Sequence, residues 1–253
     1  MVTKRGSQMH DSDGISAVIA GSGFYNLGKK ICEHTIETQY GTVVLHEVEL
    51  NGKKLIFLPR HGEKHAIPPH KINYKANIAA LKKMNVSSVF CVYASGIISD
   101  YEPGDLIIVD DFINFWMPST FYDDFSSGVK HTDFTEPFDK KLQTTLVDVA
   151  KQKGIEIKKK GIIATTFGPR FETKAEISAL KNMNANLVNM TCGHETPLIH
   201  ELGIPQIAIA VGTNYACGIS KKQLTQEEVF EALEKRKKDV VSLLEELIKR
   251  YPK

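Results

Sequence analysis

The sequence of 253 residues has almost no excess charge of either sign, because 32 Lys and Arg stand against 30 Asp and Glu for a formal net charge of +2. A chain with so little net charge lacks the strongly positive character that is typical of proteins that bind nucleic acid or an anionic membrane. No apolar run approaches the ~18 residues of a membrane helix, and residues 1–16 lack the apolar segment of a secretory signal. We therefore predict no nucleic-acid partner, no membrane association and a cytoplasmic location.

Cysteine is scarce and has no recognisable spacing. The four residues (Cys32, Cys91, Cys192 and Cys217) form neither CxxC nor CxxH pairs, so reduced thiols are expected rather than a disulfide framework. The chain also lacks a Walker A loop and a GxGxxG fingerprint, which removes the usual signatures of nucleoside triphosphate and NAD binding.

The composition that is present is ordinary for a globular protein, with 42% apolar and 25% charged residues. Short apolar runs predict strands over residues 16–20, 42–48, 54–58, 88–93, 105–109, 161–166, 187–190 and 206–211. Helices are predicted over residues 73–83, 139–152 and 196–202, after a capping box at Thr173 and Glu176, and after Thr225. This alternation predicts an α/β sheet, mainly parallel. No linker divides the chain, so one domain over residues 1–253 is expected, with 1–15 as a flexible N-terminus.

Five predicted strands end in small or polar residues, and ligands of α/β sheets bind at the carboxyl ends of strands. These ends are Gly21-Ser22-Gly23, Arg60-His61-Gly62, Ala94-Ser95-Gly96, Thr191-Cys192-Gly193 and Gly212-Thr213-Asn214. Hydroxyls from Ser22 and Thr191, backbone N–H groups at the glycines and the guanidinium fork of Arg60 together indicate an anion pocket. The alternative for Arg60 is a surface ion pair.

Two other features favour less specialised roles. His61, His65 and His70 form the pattern HGEKH followed by Pro68-Pro69, not HExxH on a helix, so hydrogen bonding is favoured over a metal site. The aromatic segment 112–125 has no interleaved basic residues and is more typical of a core or subunit interface than of a nucleic-acid surface.

Four segments, in order and spread over nearly the whole chain, resemble the methylthioadenosine phosphorylase and purine nucleoside phosphorylase family. They are LPRHGEKHAIPPHKINYKANIAAL (58–81), YASGIISDYEPGDLIIVDDFI (93–113), GPRFETKAEI (168–177) and VNMTCGHE (188–195). The resemblance implies an α/β fold with a central mixed β-sheet flanked by helices, and a homotrimer. It also implies phosphorolysis of purine nucleosides with no metal and no cofactor, inorganic phosphate being a co-substrate.

The resemblance assigns a role to each matching residue. The residues implied to bind phosphate are Ser22, Arg60, His61, Ala94 and Thr191. Those implied to bind the nucleoside are Gly96 and Phe171 at the base, Met190 under the ribose, and Val229 and His131 at the 5′ end, with His131 lent by a neighbouring subunit. His61 and Asn214 are the implied catalytic residues. Tyr93 stands where methylthioadenosine enzymes resemble each other in having threonine, so one phosphate hydroxyl is expected to be missing.

The base-binding motif departs from the methylthioadenosine-specific pattern T-D-x-D. This chain has Asn214 and Ala216 at the two acidic positions, similar to the N-x-A of bacterial methylthioinosine phosphorylases. A carboxamide can donate to a purine O6 and accept from a protonated N7, which suits hypoxanthine or guanine. The alternative is that Asn214 is only a turn residue.

The expected reaction converts S-methyl-5′-thioinosine and phosphate to hypoxanthine and 5-methylthioribose 1-phosphate. The alternatives are a methylthioadenosine phosphorylase, a general phosphorylase of inosine and guanosine, a nucleosidase that uses water, and a purine-binding module without catalysis.

Overall fold

The structure, a computed structural model, describes residues 14–24, 27–116, 118–126, 128–221 and 224–251. The predicted flexible N-terminus falls mainly on residues 1–13, which lie outside the described residues, and the first strand begins at Ile15. The described strands are β1 (Ile15–Ala20), β2 (Lys29–Thr38), β3 (Gly41–Leu50), β4 (Lys53–Pro59), β5 (Val86–Ile97), β6 (Leu106–Ile113), β7 (Lys158–Thr165), β8 (Leu187–Asn189) and β9 (Gln206–Tyr215). The α-helices are α1 (Tyr74–Lys83), α2 (Lys140–Lys153), α3 (Lys174–Asn182), α4 (Cys192–Glu201) and α5 (Gln226–Arg250).

These strands form one mixed sheet in the order β2-β3-β4-β1-β5-β8-β7-β6-β9. Strand β9 also pairs in parallel with β5, so the second half of the sheet closes on itself while β2, β3, β4 and β1 extend from it. Strand β1 lies parallel to both β4 and β5, which brings their carboxyl ends to one edge. The predicted mixed sheet with flanking helices is confirmed.

Helices cover both faces of the sheet. Helices α1 and α4 contribute to one buried layer, and α2 and α5 contribute to the other. Because side chains alternate along a strand, Cys91 and Tyr93 of β5 enter the first layer while Phe90 and Val92 enter the second. Within the part of the chain that the structure describes, no helix is both long enough and apolar enough to cross a membrane.

Strands β5 and β9 run further than the sequence predicts. The segments 94–96 and 212–214 are predicted as loops, but they continue the two strands because they pair with each other in parallel, apart from a shift in register between Ser95 and Gly96. Strand β2 is absent from the prediction. It lies at the edge of the sheet and its residues are mostly exposed, so it lacks the apolar run that marks the buried strands.

Helix α4 begins at Cys192, four residues before the predicted start, and it therefore contains Pro197 in its interior. A proline there removes the N–H that would bond the carbonyl four residues earlier, at Gly193. The Asn114 side chain replaces that donor, since its Nδ2 donates to the Gly193 oxygen over 2.6 Å. This hydrogen bond from outside the helix satisfies the Gly193 carbonyl. It therefore allows α4 to begin at Cys192, which capping rules alone do not predict.

Candidate active site

A cavity of about 410 Å³ opens at the strand ends where the sequence predicts a ligand site. The predicted residues that line it are Ser22, Arg60, His61, Ala94, Gly96, Phe171, Met190, Thr191, Asn214, Ala216 and Val229. The structure therefore brings these residues together, and their individual roles remain predictions.

His131 does not line the cavity of its own chain. It is exposed in a segment without helix or strand, and its ring meets the Phe125 ring at 5.8 Å. The role implied for this residue lies in a neighbouring subunit, and that role stays a prediction.

Arg60 is buried and is paired with a carboxylate. Its Nε donates to Glu195 Oε1 over 2.7 Å and its Nη2 donates to Glu195 Oε2 over 3.0 Å. Nη1 also donates to Val92 O and Nη2 to Ile19 O. Four of the five N–H groups of the guanidinium are therefore used by described residues, which leaves one on Nη1 for an anion. The fork predicted for phosphate is occupied by Glu195, and the alternative of an ion pair at the surface is wrong because this pair is buried.

The charge of Arg60 is held firmly in this arrangement. Burial opposes the charged form, but the charge of Glu195 and its hydrogen bonds raise the pKa of Arg60 above its ordinary value. The positive charge at the cavity wall is therefore permanent, and it is largely compensated by Glu195 before any anion arrives.

Tyr93 does not narrow the cavity, although a phenol replaces a smaller side chain there. Its hydroxyl donates to Glu195 Oε2 over 2.9 Å, and the guanidinium carbon of Arg60 lies 4.7 Å from its ring centroid. The side chain is fully buried and is not part of the cavity lining. Tyr93 thus takes part in the support of Arg60 instead of offering a hydroxyl to phosphate.

His61 presents a lone pair to the cavity. Its Nδ1 lies 2.8 Å from Ile67 O, and since a carbonyl only accepts, Nδ1 carries the proton. Burial and the charge of Arg60 lower the pKa of His61 to about 4, so the ring is neutral at pH 7 and Nε2 is an acceptor. A hydrogen phosphate can therefore donate its own O–H to Nε2. The His65 ring, also in the lining, lies 4.5 Å from the His61 ring.

Gly21 allows Arg60 and His61 to approach the end of β1. A Cβ at this position would lie 2.9 Å from His61 Cδ2 and 3.3 Å from Arg60 Nη1. Any larger residue would therefore push both side chains, which explains why glycine precedes Ser22 in the first strand-end loop.

Thr191 caps the N-terminus of α4 without using its side chain for the cap. The backbone N–H groups there are already paired, because Asn189 Oδ1 accepts from Thr191 and Cys192, and Thr165 Oγ1 accepts from Gly193. The helix therefore offers an anion its dipole and the Thr191 hydroxyl rather than free amides.

Asn214 stands at the base end of the cavity next to Gly96 and Ala216. Its Oδ1 accepts from Thr213 Oγ1 over 2.7 Å and its Nδ2 donates to Tyr215 O over 3.0 Å. A Cβ on Gly96 would lie 3.5 Å from Nδ2, so the glycine keeps the amide accessible. Among the described residues, no partner takes the second N–H or the second carbonyl lone pair of Asn214, and both remain for a ligand.

Glu172 is a cavity residue that the sequence analysis missed. It is 7% exposed, lines the cavity, and accepts through Oε1 from Thr166 Oγ1 over 2.5 Å. Burial raises the pKa of this carboxyl. The segment GPRFETKAEI could have identified this residue. In it, Glu172 directly follows Phe171, which is predicted to bind the base, and precedes the capping box.

Two further polar atoms in the lining lack a hydrogen-bond partner among the described residues. They are Ser95 Oγ and Asn189 Nδ2, and both are buried. Buried polar groups are ordinarily paired, so these two atoms are exceptions among the described residues.

The cavity lining also includes apolar side chains. Val229, expected there from the resemblance, lines it, as do Phe24 and Leu224, and Phe24 and Val229 belong to one buried layer. Gln226, an exposed residue one turn before Val229 on α5, adds a carboxamide to the lining that the sequence analysis did not consider.

A family model for the phosphorylase superfamily matches residues 16–249. The chain belongs to this superfamily. The prediction of a phosphorylase enzyme on this fold is thereby confirmed.

Individual relatives of the chain have names that are more specific than that of the superfamily. The chain is 42% identical over 242 residues to a "probable 6-oxopurine nucleoside phosphorylase" of Moorella thermoacetica, covering 94% of this chain and 93% of the relative. It is 39% identical to the "6-oxopurine nucleoside phosphorylase" of Pyrococcus furiosus, with 94% and 93% covered. It is also 38% identical to a "probable S-methyl-5′-thioinosine phosphorylase" of Thermodesulfovibrio yellowstonii, with 96% and 94% covered.

Among solved structures, the fold matches methylthioadenosine phosphorylase from Schistosoma mansoni in complex with adenine. The TM-score is 0.86 at 29% identity, covering 94% of this chain and 92% of that one. The predicted resemblance to methylthioadenosine and purine nucleoside phosphorylases is confirmed.

Proposed function

We propose that the protein cleaves 6-oxopurine nucleosides with phosphate, and that S-methyl-5′-thioinosine is its preferred substrate. The observation that carries the first part is the pair of buried polar side chains in the cavity, Glu172 and Asn214. A 6-oxopurine has an N–H at N1, which can donate a hydrogen bond to a carboxylate. It also has an oxygen at C6, which can accept a hydrogen bond from a carboxamide N–H. A 6-aminopurine presents a lone pair at N1, which a carboxylate repels.

The reaction needs little covalent chemistry from the protein. A phosphate oxygen forms a bond to C1′ while the C1′–N9 bond breaks, and the electron pair passes to the purine, whose N7 takes up a proton from water. Arg60, His61 and Thr191 would hold the phosphate as both nucleophile and counter-charge to the developing oxocarbenium ion. Asn214 Oδ1 would accept from N7–H and so stabilise the departing base. No metal or cofactor has a part in these steps.

Product analysis separates this proposal from its alternatives. With inosine and phosphate, we expect hypoxanthine and ribose 1-phosphate in equal amounts, and no cleavage when phosphate is omitted. Free ribose as the product would identify a nucleosidase. Nucleoside binding without any product would support a binding module.

The double variant Asn214→Asp with Ala216→Asp tests the reading of the base. It places two carboxyl groups at the base edge, so we expect preference to move toward 6-aminopurine nucleosides by about tenfold or more in kcat/KM. The measurement is the ratio of inosine to adenosine turnover. Asn184→Asp, outside the cavity lining, is the control. An unchanged ratio in a folded double variant would show that other residues read the base.

The apolar lining residues Phe24, Leu224 and Val229 support the 5′-methylthio preference. A methylthio group gains apolar burial there, whereas a hydroxyl is dehydrated at a cost of ~1–3 kcal/mol unless Gln226 binds it. We expect S-methyl-5′-thioinosine to exceed inosine by about tenfold in kcat/KM. Gln226→Leu should lower inosine turnover and leave the methylthio substrate nearly unchanged. Equal or better use of inosine by the unaltered protein would replace this substrate with inosine and guanosine.

The exposed aromatic residues support the proposed homotrimer. Phe115, Trp116, Phe125 and Phe167 are all exposed in the single chain, and Phe115 is 72% exposed. Large exposed apolar surfaces mark interaction sites, and the segment that carries Phe125 also carries His131. Sedimentation equilibrium with a mass of three chains would support this assembly, and the mass of one chain would oppose it.

The four free cysteines support the proposed cytoplasmic location.

A further inference from the structure

Three side chains on the outer strands, Cys32, His34 and Glu47, form a compact group away from the nucleoside cavity. Cys32 Sγ lies 3.4 Å from His34 Nε2 and 3.4 Å from Glu47 Oε2, and His34 Nε2 lies 3.1 Å from Glu47 Oε2. We call this group the Cys32 cluster. None of its members lines the cavity at the strand ends.

Strand geometry places the three side chains together. Cys32 and His34 are two residues apart on β2 and so point to the same face. Glu47 of β3 is directly opposite Cys32 in the antiparallel register. The register shifts between Lys30 and Cys32, an irregularity of the kind that re-aims side chains.

The spacing of these atoms matches a tetrahedral metal site. Bonds of about 2.3 Å to sulfur and about 2.0–2.1 Å to nitrogen and oxygen put neighbouring ligand atoms about 3.3–3.6 Å apart. The three distances in the cluster lie within a few tenths of an ångström of those values. A thiolate and an imidazole together favour zinc-type cations over magnesium or calcium.

The surroundings of Glu47 and Cys32 suit such a site. Lys54 Nζ lies 3.1 Å from Glu47 Oε1, which orients the carboxylate and leaves Oε2 for the cluster. Glu47 and His34 are largely covered, with side chains 13% and 30% exposed, whereas Cys32 is exposed. A cation held here would have one side open to water.

A second group of possible ligands, Glu33, His46 and Glu63, is less suitable. The two glutamates face different nitrogens of His46, at 3.8 Å from Nδ1 and 3.1 Å from Nε2. The ammonium of Lys30 already bridges both carboxylates, at 2.6 Å and 3.2 Å. A positive charge therefore occupies the place that a metal ion would take.

We propose that Cys32 Sγ, His34 Nε2 and Glu47 Oε2 bind one zinc-type divalent cation, with water as the fourth ligand. The cation joins the edge strand β2 to β3 and takes no part in phosphorolysis. Binding converts the Cys32 thiol to a thiolate, and the proton passes to solvent. Because binding displaces this proton, affinity should fall as the pH is lowered.

Cobalt(II) titration of the full-length protein, freed of metal with a chelator, tests the site. We expect one equivalent per chain, a thiolate-to-cobalt charge-transfer band in the near ultraviolet, and displacement by zinc. Cys32→Ser should abolish the band and weaken binding at least about 100-fold, and His34→Ala and Glu47→Gln should weaken it substantially.

Cys217→Ser is the matched control, because Cys217 is partly exposed while Cys91 and Cys192 are buried. This control should bind cobalt as the unaltered protein does, and Cys32→Ser should leave phosphorolysis unchanged. Absence of a stoichiometric thiolate band, or its persistence in Cys32→Ser, would overturn the proposal. Hydrogen bonding among the three side chains would then be their only role.

Discussion

Replacing Glu195 with glutamine is expected to lower the free energy of unfolding by about 3–5 kcal/mol. Glu195 takes two hydrogen bonds from the buried Arg60 and one from the buried Tyr93. The variant keeps the volume of the side chain but removes its charge, which leaves the guanidinium without a counter-ion in the interior. Chemical denaturation measures the loss.

Tyr93→Phe is the matched comparison for Glu195→Gln. It removes one hydrogen bond to the same carboxylate and leaves the charge pair intact, so a loss of about 1–2 kcal/mol is expected. The phosphate KM should rise more in Glu195→Gln than in Tyr93→Phe, since Arg60 loses its orientation in the first variant only. Equal effects of the two variants on stability would contradict the account of a buried, charge-compensated Arg60.

Replacing Glu172 with leucine is expected to lower kcat/KM for inosine by about 10- to 150-fold. That range corresponds to loss of a charge-assisted hydrogen bond worth about 1.5–3 kcal/mol. Adenosine should be unaffected or improved, because the variant removes the carboxylate that faces the lone pair at N1. The measurement is the ratio of kcat/KM for the two nucleosides.

Glu172→Gln is the conservative control, because its amide oxygen can still accept from N1–H and should recover part of the inosine activity. The pH profile supplies a second readout. Burial raises the pKa of Glu172, so acidification protonates this acceptor earlier than an ordinary glutamate and inosine activity should fall there. Neither variant titrates at this position, so both should lack this component of the profile. A leucine variant with unchanged selectivity would show that Glu172 does not contact the base.

The sequence predicts where the site lies because that prediction depends on local features. Apolar runs followed by small or polar residues mark the strand ends, and a parallel arrangement gathers those ends at one edge. This reasoning brings Ser22, Arg60, Thr191 and Asn214 into one cavity, as the structure has them.

The partners of those residues could not be predicted in the same way. Arg60 and Glu195 are 135 positions apart, and nothing near either residue marks the pair. The buried layer that the Tyr93 side chain enters depends on which face of the sheet the odd-numbered residues of β5 occupy. That face can be assigned only when the layers on both sides of the strand are known. Glu172 directly follows Phe171, which is a local signal for its place beside the cavity, but its burial depends on how the chain packs around α3.

We propose a phosphate-dependent enzyme that selects the 6-oxopurine base. Its most direct test is a set of initial rates for S-methyl-5′-thioinosine, inosine, S-methyl-5′-thioadenosine and adenosine, each measured with and without phosphate. We expect each 6-oxo nucleoside to exceed its 6-amino counterpart by about tenfold or more in kcat/KM, and no cleavage without phosphate. Equal or faster cleavage of the 6-amino nucleosides, or cleavage that does not need phosphate, would contradict the account.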